Sequence, residues 1–165
     1  MTKTATEVTF ALESISTALA DGLEDMLIEH WQEVEQQQDV MPLAVNWPLY
    51  LMLERTGVYK AVAARLGAKL VGYAAYFVQP PLHHMQKTWA VNDVLYLDPA
   101  YRRGRTGDRL IEAAEGFMRE LGAKLITQED RRLPNSTAAK VSATLGDLLV
   151  RRGYFLAGRV YAKLL

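Results

Sequence analysis

The most constraining stretch of this chain runs out of a strand-like segment and into a helix: Leu95-Tyr-Leu-Asp-Pro-Ala-Tyr-Arg-Arg-Gly-Arg-Thr-Gly-Asp-Arg-Leu-Ile. Thr88 to Leu97 reads as a strand, and Asp98-Pro99 stops it, because proline brings no amide to a ladder. From Gly107 to Leu121 the pattern is helical, with Leu110, Ile111, Ala114, Phe117, Met118 and Leu121 inward and Gly122 as the stop. Between them lie Gly104, Gly107, Arg102, Arg103 and Arg105. Loop amides ahead of a helix N-terminus attract an anion, and glycines let a ligand approach the backbone closely. Arginines add charge-assisted donors that suit phosphate. The segment reads as a phosphate or pyrophosphate cradle; the plainer reading is a solvated basic turn before a surface helix. Neither Gly-Lys-Ser/Thr nor Gly-x-Gly-x-x-Gly is present, which excludes a Walker loop and a dinucleotide fingerprint.

The rest of the chain frames this segment. Val8, Phe10 and Leu12 alternate as a first strand, and a helix follows through Leu19, Leu23, Met26, Leu27, His30, Trp31 and Val34. Asn46-Trp47-Pro48 opens a short helix that Gly57 closes. Val58–Leu66 and Lys69–Val78 form a hairpin about Leu66-Gly67-Ala68. Lys124–Glu129 is a strand, Thr137–Arg152 a helix ended by Gly153, and Tyr154–Ala157 and Arg159–Leu165 are two last strands. The expected order is β-α-α-β-β-β-α-β-α-β-β. This is an α/β (α+β) fold: a mixed, mostly antiparallel sheet of about seven strands with helices on both faces. The long crossover from Thr88 to Glu129 requires a parallel pair within it. Residues 1–165 read as a single domain. Balanced charge, with 19 basic and 19 acidic residues, gives no bulk nucleic-acid surface, and no apolar run is long enough to span a membrane. No cysteine is present, so thiol and disulfide chemistry are excluded, and no ligand spacing suggests a metal. The chain reads as cytoplasmic.

The Leu95–Glu120 segment, together with the element order, resembles the GNAT family of N-acetyltransferases. The family's acetyl-coenzyme A loop is usually Arg/Gln-x-x-Gly-x-Gly/Ala. Here the loop reads Arg102-x-Gly104-x-x-Gly107, with the first glycine displaced by one residue. The resemblance implies acetyl-coenzyme A as acyl donor, lying where the strand ending at Leu97 splays from the strand at Lys124–Glu129. It implies cofactor contacts from Leu95, Tyr96 and Leu97 and from Arg102, Arg103, Gly104, Arg105, Thr106, Gly107 and Asp108. A strand amide would meet the thioester carbonyl and stabilise the oxyanion.

The acceptor implied is a primary amine on a small molecule or a protein. Asp93, a carboxylate in an apolar strand, is the candidate base, with Asn92 as a substrate or water ligand. Simple alternation puts Asp93 on the face of Leu95 and Leu97; a bulge, which the family often has on this strand, reverses that parity. The tyrosine acid that the family places four residues before the glycine ending its last helix is replaced here by Leu149; Tyr96, Tyr154 and Tyr161 remain, each a candidate acid or a packed aromatic, with water as the alternative proton source and Tyr96 taken as the candidate acid. His84, in a turn with His83, is a candidate substrate ligand or a surface residue. His30 reads as a packed core histidine. Trp47, Tyr50 and Tyr59 are either the wall of a substrate pocket or core. The family often forms homodimers, and the loop's wording is similar to that of bacteriophage and prophage members. The rival reading is a catalytically inactive domain of the same fold that binds coenzyme A or a protein partner.

Overall fold

Alternating apolar residues make strands only where a neighbouring ladder accepts their backbone groups, and five segments meet that condition. The computed structural model describes residues 7–130, 145–160 and 162–163. Two compact units are present, residues 1–133 and 134–165. The first holds a five-stranded sheet in sequential order: β1 (Val8–Glu13), β2 (Tyr59–Leu66), β3 (Lys69–Gln79), β4 (Thr88–Leu97) and β5 (Ala123–Thr127). β1 to β4 pair antiparallel and β5 joins β4 in parallel, as the helix between them requires.

The sheet is covered on both faces. On one side lie α1 (Ile15–Ala20), α2 (Leu23–Val34) and α3 (Trp47–Arg55). Ile15, Ala18, Leu23 and Met26 pack there with Tyr59, Ala63, Tyr73, Ala75 and Tyr96. On the other lies α4 (Thr106–Glu120), whose Leu110, Ala114 and Met118 pack against Val62, Ala74, Tyr76, Ala90 and Leu97. Leu110, Ile111 and Met118 are almost wholly buried, and burial of each contributes about 1.5–3 kcal/mol. No helix among the described residues is long and apolar enough to cross a membrane.

Two expectations need correction. The single helix expected through Leu19–Val34 is two helices, because Gly22 adopts φ 94°, a left-handed conformation that ends α1 before α2 begins. Ser14 caps α1 by accepting from the Thr17 amide at 3.2 Å. Among the described residues the sheet has five strands and not about seven. Residues 154–160 form no strand, and Phe155, Leu156 and Val160 are exposed at 73%, 77% and 89%. Their alternation finds no ladder, and Gly158 interrupts it. In the second unit α5 (Leu145–Arg151) is helical and Gly153 follows it with φ 91°. The expected helical positions 137–144 lie outside the described residues.

Gly72 of β3 leaves no room for a side chain against β4. A Cβ built there would sit 2.7 Å from the Tyr96 carbonyl oxygen and 3.1 Å from the Leu97 Cα, both backbone atoms that cannot swing aside. Gly72→Ala is therefore expected to lower the unfolding free energy by about 1–3 kcal/mol in urea titrations. An unchanged midpoint would mean that the two strands separate there freely.

Candidate active site

Along β4 the pairing with β3 runs Ala75 with Val94 and then Tyr76 with Asn92, which leaves Asp93 as the extra residue of a β-bulge. The bulge reverses side-chain parity. Leu95 and Leu97 pack on the α4 side, whereas Asp93 faces α3 and β2. Its Oδ2 accepts from the Tyr59 hydroxyl at 2.7 Å and from the Tyr50 hydroxyl at 3.3 Å. Tyr50 comes from α3, near its start, where the Asn46 side chain caps the helix by accepting from the Leu49 amide. The rings form a continuous wall: Trp47 to Tyr50 at 6.1 Å, Tyr50 to Tyr59 at 5.1 Å, and Tyr59 to Phe77 at 5.2 Å.

The bulge coincides with a parting of strands. β5 pairs with β4 only from Thr88 to Val91, and its last partner is Thr127. Beyond that point Asn92 holds the two strands at their divergence. Its amide nitrogen donates to the Ala75 and Val94 carbonyls at 3.3 and 2.9 Å. Its backbone N–H donates to the Thr127 hydroxyl at 3.3 Å, and its side-chain oxygen accepts from the Glu129 amide at 3.4 Å. From Val94 to Leu97, β4 has no strand partner on that side among the described residues. Gln128, immediately after β5, donates its amide to the Tyr76 hydroxyl, while its buried Oε1 has no hydrogen-bond partner.

The loop after β4 begins with a short 3-10 turn, Pro99–Tyr101, capped by the Asp98 side chain on the Ala100 amide at 2.8 Å. Gly104 has φ 76° and Gly107 sits in the first turn of α4. A Cβ at Gly104 would meet nothing within 4 Å, and one at Gly107 would meet only the tip of Leu97 at 4.0 Å. Arg105, at the N-cap, makes no side-chain cap on α4.

This is the geometry of the acetyltransferase (GNAT) family, whose sequence profile matches residues 19–146. The chain belongs to the GNAT family. No curated protein sequence matches it. Among solved structures it is similar in fold to a ribosomal-protein-alanine N-acetyltransferase from Brucella melitensis biovar Abortus 2308, with 16% identity, TM-score 0.64 and 96% of each chain covered. An aminoglycoside acetyltransferase from an uncultured soil metagenomic sample, in complex with sisomicin, has 19% identity and TM-score 0.61, again with 96% of each chain covered. A transcriptional regulator from Bacillus halodurans C-125 has 19% identity and TM-score 0.65, covering 96% of this chain and 99% of that one. At these identities the likeness shows the GNAT fold alone.

Within the GNAT fold, the residues singled out in the sequence separate into groups. Asp93, Tyr50 and Trp47 come together, and Tyr59 joins them as the nearest donor to the carboxylate. Asn92, expected as a substrate or water ligand, has its side-chain amide engaged with backbone groups of β3, β4 and the segment after β5. Tyr96, the candidate acid, is a packed ring. It is 4% exposed, its ring stacks on His30 at 4.7 Å, and burial with the nearby Glu33 charge raises its pKa. His30 is buried as expected, with Nδ1 2.8 Å from the Tyr73 hydroxyl. His84 is exposed and stacks on Trp89 near the start of β4, apart from the Asp93 cluster. Of the loop arginines, Arg105 pairs with Asp108 at 3.1 Å and Arg103 is exposed. Arg102 turns inward: its Nε donates to the Leu97 carbonyl at 2.7 Å and its terminal nitrogens to Glu33. Tyr161 lies outside the described residues.

Burial and the Asp93 charge push Tyr50 up to about 12, and the same causes raise Tyr59. Both phenols therefore hold their protons and donate to Asp93 at neutral pH. A folded-state value above that of the unfolded chain, about 10, contributes stability that is complete below about pH 10. That contribution is lost as pH rises through the folded value. The unfolding free energy in urea is expected to fall from about pH 10 upward, and to fall less steeply in Tyr50→Phe. Equal slopes in the two proteins would contradict the coupling of Tyr50 to Asp93.

Proposed function

We propose that the protein transfers an acetyl group from acetyl-coenzyme A to a primary amine by direct attack, with Asp93 as the base. One observation carries this reading. The end of β5 pairing at Val91, the Asp93 bulge and the start of α4, which has no side-chain cap, follow one another along the chain through β4 and out of it. The residues fit the donor. Side chains are absent at Gly104 and Gly107, where a Cβ would enter open space, and the Gln128 Oε1 is a buried acceptor without a donor. In this reading the backbone of Leu95–Leu97 and Gln128 receive the amide-bearing arm. The amides of Thr106, Gly107 and Asp108, with Arg103 and Arg105, receive the pyrophosphate. The displaced glycine keeps this role because Gly104 supplies the left-handed turn and Gly107 supplies the space.

Acetyl-coenzyme A, when bound, supplies the thioester carbonyl that the amine attacks. The chain's own residues prepare the attack. Tyr50 and Tyr59 hold Oδ2 of Asp93, which leaves Oδ1 to take the ammonium proton directly or through water. Trp47 and Tyr50 offer ring faces to the acceptor cation, an attraction of about 0.5–2 kcal/mol. The aminoglycoside acetyltransferases among the similar folds support a small-molecule acceptor. Tyr96 serves as a packed platform, and solvent at the open edge provides the proton that the departing thiolate needs. One observation favours the rival, non-catalytic reading: Leu149 stands where the family carries its tyrosine acid.

A panel of primary amines, assayed by coenzyme A release, tests the proposal. With an accepted amine, Asp93→Asn is expected to lower kcat by roughly 10²–10⁴-fold, with coenzyme A affinity and Tm unchanged. Activity should recover in part at high pH, where the amine is already neutral. A loss of Tm with full activity in the folded fraction would make Asp93 structural. Gly107→Val is expected to weaken coenzyme A binding without lowering Tm; equal affinity would place the pyrophosphate elsewhere.

A further inference from the structure

We propose that Glu33 is a positioning residue for the cofactor loop, acting through a latch to Arg102 that fixes the loop from α2. The consequence for catalysis rests on the acetyl-coenzyme A reading above. Arg102 sits in the loop between the β4 edge and the α4 N-terminus, where an arginine is expected to face phosphate. Its donors point the other way. Nε closes the loop back onto the Leu97 carbonyl at 2.7 Å, and the two terminal nitrogens meet the two Glu33 oxygens at 2.6 Å each. The guanidinium lies 5.3 Å over the Tyr96 ring, which stacks in turn on His30.

His30 and Glu33 are three residues apart on α2 and share one face of it. That face therefore grips β4 through Tyr96 and the loop through Arg102. The fork-to-fork geometry fixes both distance and plane, which a single ammonium contact does not. Glu33 and Arg102 side chains are 28% and 40% exposed, so screening limits what the pair adds to global stability. Its effect is local: it sets where Gly104, Arg105 and Gly107 stand relative to the β4 edge. The sequence gives no sign of this pairing, because the partners are 69 positions apart.

The test uses the full chain, as wild type, Glu33→Gln, Arg102→Met and the double variant. Hydrogen exchange of residues 98–107 and calorimetric titration with coenzyme A are read on the same preparations. Each single variant is expected to speed exchange in 98–107 by roughly three- to tenfold, leave β1 to β3 unchanged, and raise the coenzyme A Kd by a similar factor. The double variant should do no more than either single one, since both remove one contact. Two results would overturn the latch: unchanged exchange in 98–107, or tighter coenzyme A binding in Glu33→Gln. The second would mean that Arg102 is a phosphate ligand for which Glu33 competes. A wild type that binds no coenzyme A would end the cofactor reading, while the exchange data would still decide the latch.

Discussion

Asn92 and Asp93 are consecutive on β4, and the candidate site depends on the bulge that Asp93 makes between Asn92 and Val94. An extra residue in one strand leaves backbone carbonyls without their usual ladder partners. The Asn92 amide takes up two of them, on Ala75 and Val94, and so makes the bulge a defined structure. The same residue ties β4 to Thr127 and Glu129 where the strands part. With the bulge in place, Asp93 faces the tyrosines of α3 and β2, and the following Leu95 and Leu97 turn toward α4. Without it, the carboxylate would lie under α4, away from any acceptor on the aromatic side. One irregular residue therefore separates the proposed acceptor side of the sheet from the proposed donor edge.

Much of the fold was readable from sequence because local rules and tertiary demands agree there. The hairpin about Gly67, the β4 stop at Asp98-Pro99, the amphipathic α4 and the Asn46 cap each follow from nearest-neighbour chemistry. The failures have a common cause. The alternation at residues 154–160 met no ladder among the described residues, and sequence alternation carries no information about whether an edge is available. The break between α1 and α2 was signalled by Gly22, but helical spacing on either side hid it.

The site was readable in position and less so in partners. The glycine and arginine loop announced itself because its residues are adjacent in the chain. The Asp93 contacts link positions 34 and 43 residues away, to Tyr59 and Tyr50, and no local pattern specifies such pairs. Arg102 shows the limit most plainly. Its neighbours in the chain suggest a phosphate partner, and nothing local points to the carboxylate on a distant helix that meets its two terminal nitrogens. Tyr96 likewise is a buried ring whose contacts with His30 and Arg102 no local pattern indicates.

The central claim is that the open edge of β4 and the first turn of α4 together hold coenzyme A. Backbone amide resonances report that most directly, since the proposed contacts are made by main-chain groups. On titration with coenzyme A, the amides of Leu95–Leu97 and of Gly104–Asp108 should shift together and saturate at one concentration, with β1 and the β2–β3 turn unmoved. Shifts confined to other surfaces, or none at all at saturating ligand, would contradict it.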